Sequence, residues 1–103
     1  MPKKPIDYSR TSFYLLECKD ENVPFFYVGS STSVSRKKAY HKACSLDPNK
    51  IDPISQQIRS HGGWDNWNFV ILDEENCQSK THQIVSTTYW ESEIRKIKNK
   101  PDL

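Results

Sequence analysis

The chain has 103 residues, a length that suits one domain built on one core. Only 35% of it is hydrophobic, but three Trp, five Tyr and four Phe supply core area, so the composition reads as globular and excludes a disordered chain. The net charge of +2 is weak ground for a nucleic-acid partner taken as a bulk number, and no apolar run approaches the roughly 18 residues of a membrane span.

The first stretch, MPKKPIDYSR, lacks the apolar region of a signal peptide, so an intracellular location, cytoplasmic or nuclear, is expected, with no membrane partner. Residues 1–11 read as a flexible basic arm. The run SFYLLEC predicts a strand over 12–18, KDENVP a loop, and FFYVG a second strand over 25–29. A connection this short implies an antiparallel hairpin. Ser33 or Ser35 caps a helix over 34–45, which carries Val34, Lys38, Tyr40, His41 and Cys44 on adjoining faces. After the break LDPNKIDP, Pro53 opens a short helix over 53–61, with Ile54 and Ile58 on one side and Gly62-Gly63 as its stop. WNFVIL predicts the third strand, 67–72. ENCQSK is a loop with Ser79 as a cap, and a last helix over 80–98 buries Val85, Tyr89, Trp90, Ile94 and Ile97. Residues 99–103 are a tail. The order β-β-α-α-β-α predicts a single α+β domain over 12–98, with helices packed on a three-stranded, mostly antiparallel sheet.

Cys18, Cys44 and Cys77 are scattered and form no C-x-x-C pair, so they read as reduced thiols and not as a zinc or redox motif. Charge is unevenly placed. Arg36, Lys37, Lys38 and Lys42 crowd around His41, Arg95 to Lys100 form a second basic cluster, and Asp73, Glu74 and Glu75 an acidic block.

Pairing of the first two strands brings Tyr14 near Tyr27, and Gly29 lets the backbone approach a ligand closely. Lys37 and His41, spaced i, i+4, share one face of the next helix. Two phenols, an ammonium and an imidazole suit a phosphodiester: a phenol or imidazole can take a proton from water, and a cation can hold nonbridging oxygens. The set lacks a carboxylate for a divalent metal. The plainer readings are strand tyrosines with wet hydroxyls, a half-buried helix histidine, and a solvated basic face. Trp64, Trp67 and Trp90 read as core, with Trp64 able to stack on a base if exposed. His61 and His82 have no partners in sequence.

The arrangement resembles the GIY-YIG endonuclease family from about Ser12 to Ile97. The family's Gly-Ile-Tyr stands here as Ser12-Phe13-Tyr14, and its Tyr-Ile-Gly as Tyr27-Val28-Gly29. Its helix arginine and histidine fall on Lys37 and His41, its segment before the third strand on His61 to Trp67, and its last-helix aromatic pair on Tyr89-Trp90. The resemblance implies cleavage of DNA with one divalent ion, usually Mg²⁺, held by a single glutamate, with Tyr14, Tyr27, Lys37 and His41 around the phosphate. Gly29, Arg36, Lys38 and Lys42 would then contact DNA.

Two positions depart from that pattern. The glutamate position is Thr87, and a hydroxyl is a poor lone anchor for Mg²⁺. The arginine position is Lys37, which keeps the charge but loses the bidentate fork; Arg36 beside it points about 100° away around the helix. Glu91 lies one turn beyond Thr87, about 6 Å along the same face. It either takes over the metal or pairs with Lys37 in a site without one. Two functions are therefore expected: a nuclease-fold protein that contacts DNA phosphates, or blocks a protein partner, with weak or lost cutting and no cofactor; or a rewired endonuclease using Glu91 with Mg²⁺ or another divalent ion.

Overall fold

The run TSFYLLEC forms the first strand, β1 (Thr11–Cys18), and FYVGSS the second, β2 (Phe26–Ser31). In the computed structural model, which describes residues 8–23 and 25–98, these two pair antiparallel. The third strand, β3 (Trp67–Glu75), pairs antiparallel with the other side of β1, giving the order β2-β1-β3. β1 is central, and its residues 11–16 are all buried, which is why its sequence is a continuous run without polar alternation. Three helices complete a small α+β domain: α1 (Val34–Leu46), α2 (Pro53–Ser60) and α3 (Lys80–Lys98).

Strand alternation divides the core in two. Tyr14 and Leu16 pack with Trp67 and with Ile54 and Ile58 of α2, and Val34 of α1 joins them. Leu15, Phe26 and Val28 point the other way, against Ile94 and Trp90 of α3. The sheet is thus covered by α1 and α2 on one face and by α3 on the other. Among the described residues, no helix is long and apolar enough to cross a membrane, and all three thiols are free.

Local chemistry accounts for the element ends. Asp52 caps α2 by accepting from Ser55 N–H at 3.2 Å, with Pro53 in the first turn. Gly62 and Gly63 both have positive φ, +93° and +79°, and a Cβ at Gly62 would run into Asn66. The Arg59 guanidinium donates to the carbonyls of Cys44 (3.0 Å), Asp47 (2.9 Å) and Lys50, tying the end of α1 to α2. Ser79 accepts from His82 N–H at 3.2 Å and caps α3. Ser33 holds the N-cap position of α1 without a side-chain cap bond.

Three expectations need correction. β3 continues past residue 72 because a bulge at Leu72 keeps it in register: Tyr14 pairs with Ile71 and Phe13 with Asp73, so the acidic block is strand. The predicted loose arm is structured from Tyr8, where a 3-10 turn (Tyr8–Arg10) presents its carbonyl to Thr11 Oγ1 and Cys77 N–H, both at 2.9 Å. Residues 1–7 of that arm and the tail 99–103 lie outside the described residues. Finally, Val85, Tyr89 and Ile97 of α3 are exposed, at 63%, 58% and 76%. The inward stripe is Gln83, Thr87, Trp90 and Ile94, spaced i, i+4, i+7, i+11, and its first half is polar.

Candidate functional site at the β2 edge

The register of β1 on β2 sets Tyr14 opposite Gly29 and Leu16 opposite Tyr27, so both tyrosines share one face. Tyr14 is wholly buried. Its ring stacks on Phe69 (centroids 4.6 Å apart, 16° between planes) and its hydroxyl lies 2.7 Å from His41 Nε2. Tyr27 is half-buried, with its ring 6.2 Å from Tyr14 and 5.5 Å from His41. At Gly29 a Cβ would overlap the Tyr14 hydroxyl and ring, so the missing side chain makes room for Tyr14.

α1 and α3 lie on opposite faces of the sheet, and both reach past its β2 edge. Between them is a cleft of about 260 Å³, lined by Tyr27 and Gly29 from β2, Lys37 from α1, and Lys80, Thr87 and Glu91 from α3. A second cavity of about 310 Å³ shares Tyr27 and Lys37 with it and adds Tyr40, His41 and Asp52. The structure therefore gathers Tyr14, Tyr27, Lys37, His41, Thr87 and Glu91 around one edge. It does not gather the rest of the basic helix. Lys38 lies 5.8 Å over the Phe69 ring, in a hollow with Val34, Ser35 and Ile71, and Arg36 and Lys42 are exposed.

The α3 wall is closed by hydroxyls. Ser30 Oγ accepts from Gln83 Nε2 at 2.8 Å and lies 2.8 Å from Thr87 Oγ1, which is also 2.8 Å from the Gln83 carbonyl. Each hydroxyl has one proton, so the ring of contacts is satisfied when Thr87 donates to the Gln83 carbonyl and Ser30 donates to Thr87. Thr87 is thereby committed within the protein. A Mg²⁺ ion, which prefers carboxylate oxygens, does not fit at that position. Glu91 supplies one carboxylate to the cleft, and its charge adds to the larger effect of burial in pushing the Tyr27 phenol up.

Burial governs the protonation of the site's phenols and imidazole. Burial, then the neighbouring Tyr27, pushes the Tyr14 phenol far above its ordinary range. Burial also raises Tyr27, so neither phenol ionises at neutral pH. His41, 4% exposed, is pushed down to about 4 by burial and by the Lys37 ammonium, against a smaller opposing pull from Asp52. Burial works against the Asp52 charge, but the Ser55 hydroxyl and N–H outweigh it and hold the carboxyl below its usual range. His41 is therefore neutral and weakly basic at pH 7, with Nε2 already engaged by Tyr14, and no phenol or imidazole at the site titrates near neutrality.

Sequence reasoning missed Ser30, Asp52, Lys80 and Gln83. Lys80 carries one usable signal, its place at the first residue of α3, a helix whose bounds the sequence predicts. Gln83 stands one turn before Thr87, but a buried polar residue leaves no mark in an apolar pattern. The chain matches no protein-family model, no curated protein and no solved structure.

Proposed function

We propose that this chain is a GIY-YIG nuclease-fold protein that contacts DNA phosphates through the β2-edge cleft, with endonuclease activity weak or lost. The observation that carries this reading is the pairing of a cationic cleft with a committed Thr87. Lys37 and Lys80 border the same space, while the position expected to hold Mg²⁺ bonds Ser30 and Gln83. Two lysines lining one cleft with Tyr27 suit the nonbridging oxygens of a phosphodiester. The neutral, Tyr14-bonded His41 makes a poor acceptor for a water proton. Free thiols suit the reducing interior of a cell, cytoplasmic or nuclear, where DNA is the partner.

A second reading rests on Glu91. It borders the cleft with Tyr27 and Lys37, so a rewired nuclease would rely on this carboxylate. Supercoiled plasmid incubated with the protein and Mg²⁺ or Mn²⁺ separates the two. Binding without nicking is expected. Nicking that disappears in both Tyr27→Phe and Glu91→Ala would establish the rewired enzyme, and failure to bind DNA at any salt would overturn both readings.

A further inference from the structure

Away from the cleft, the end of β3 and the start of α3 bring together a carboxylate, a thiol and an imidazole. Glu75, Cys77 and His82 each offer one ligand atom, and these atoms all lie within 4.8 Å of one another. Among the described residues this is the one group of three or more such side chains that converges. Its members are held from several directions. Cys77 N–H is anchored on the Tyr8 carbonyl at 2.9 Å, and Ser79 fixes the first turn of α3. Gln78 N–H donates to His82 Nδ1 at 2.9 Å, so the ring proton sits on Nε2 and points to Glu75 Oε1, 2.7 Å away. Ser86 Oγ donates to the same oxygen at 3.2 Å. Cys77 is 3% exposed, whereas the side chains of Glu75 and His82 are each 35% exposed. The thiol thus forms the sheltered floor of the group, and its outer side opens to water.

We propose that Glu75, Cys77 and His82 form a binding site for one Zn²⁺ ion, with water in the fourth position. Thiolate, imidazole and carboxylate together suit a borderline-soft ion that accepts four ligands, and they disfavour Mg²⁺ or Ca²⁺, which want oxygen throughout. Ligand atoms on a tetrahedral ion with bonds of roughly 2.0–2.3 Å stand about 3.3–3.7 Å apart, so the ion would close the site by spreading His82 Nε2 and Glu75 Oε1, now 2.7 Å apart, within a group that already spans no more than 4.8 Å. Binding has a definite proton balance. Cys77 loses its S–H proton to solvent. The His82 proton moves from Nε2, which becomes the ligand atom, to Nδ1. Nδ1 then no longer accepts from Gln78 N–H, so loading releases that bond and readjusts the turn at Gln78-Ser79. The same end of α3 sends Lys80 and Gln83 into the cleft, so the ion would staple β3 to the helix that forms one cleft wall. The site is independent of the DNA reading.

Metal-stripped full-length protein titrated with Co²⁺, then with Zn²⁺ as competitor, tests the proposal. The expected result is a thiolate-to-cobalt charge-transfer band that saturates at one equivalent and is bleached by Zn²⁺, with the Gln78 amide moving in NMR spectra. Cys77→Ala and His82→Gln should each weaken binding by about a hundredfold or more, and Cys18→Ala should leave it unchanged. Because Cys77 is buried, His82→Gln, on the open side, carries the test if Cys77→Ala fails to fold. Absence of the charge-transfer band, or affinity unaltered in His82→Gln, would overturn the assignment.

Discussion

Tyr14 with His41 on one side of the cleft, and Ser30 with Gln83 and Thr87 on the other, are both buried or half-buried polar clusters, but they are sustained differently. The first is an aromatic block: the Tyr14 hydroxyl meets His41, while its ring fills the core against Phe69. Its polar bond is a small part of a large apolar burial. The second has little apolar area and holds together through a closed ring of hydrogen bonds. An aromatic wall should therefore be costly to remove and sensitive to pH. The hydroxyl wall should be cheap to alter and indifferent to pH.

The largest difference should appear on truncation. Tyr14→Ala removes a wholly buried ring and should cost about 3–5 kcal/mol in urea unfolding. Tyr14→Phe, which keeps the ring and strips His41 of its partner, should cost about 1–3 kcal/mol. Equal losses in the two variants would mean that the hydrogen bond, and not the ring, dominates this wall.

Acid should separate the walls next. Folded His41 stays neutral down to about pH 4, whereas an unfolded imidazole takes its proton near 6.5. Between those values the unfolded chain binds more protons, so the stability due to His41 is complete above about pH 6.5 and declines as pH falls toward 4, by up to about 3 kcal/mol. The His41 ring resonances, followed by NMR, should titrate well below those of an exposed histidine. Titration near 6.5 would mean the ring is not shielded as the packing implies.

The smallest effect belongs to the hydroxyl wall. Thr87→Val keeps the shape and breaks the ring of bonds while Gln83 still serves Ser30. It should cost about 0.5–1.5 kcal/mol, with no change in the pH dependence. A loss as large as that of Tyr14→Ala would show that the hydroxyl ring anchors α3.

The same contrast explains what could be read from the residues alone. β1, β2 and α2 announce themselves through aromatic runs, a proline and paired isoleucines; Tyr14 and Tyr27 follow from the strand pairing, and Lys37 and His41 from their i, i+4 spacing on α1. The inward face of α3 does not. Apolar spacing picks Val85, Tyr89 and Ile97, yet the helix turns Gln83 and Thr87 toward β2 because hydroxyl and amide partners await them there. The far end of β3 was hidden for a related reason: its bulge at Leu72 shifts the alternation, and its last residues are acidic. Glu75, Cys77 and His82 converge through that same junction, which no spacing motif encodes.

The cleft itself is best tested by the salt dependence of duplex DNA affinity for the parent protein and for Lys37→Ala, Lys80→Ala and Lys38→Ala. Lys37 and Lys80 line the cleft, whereas Lys38 lies over Phe69 outside it. If DNA phosphates sit in the cleft, the slope of log affinity against log salt should fall by about 1 in each of the first two variants and stay the same in the third. A slope that drops for Lys38→Ala and holds for Lys37→Ala and Lys80→Ala would place DNA elsewhere on the protein and contradict a phosphate-binding cleft.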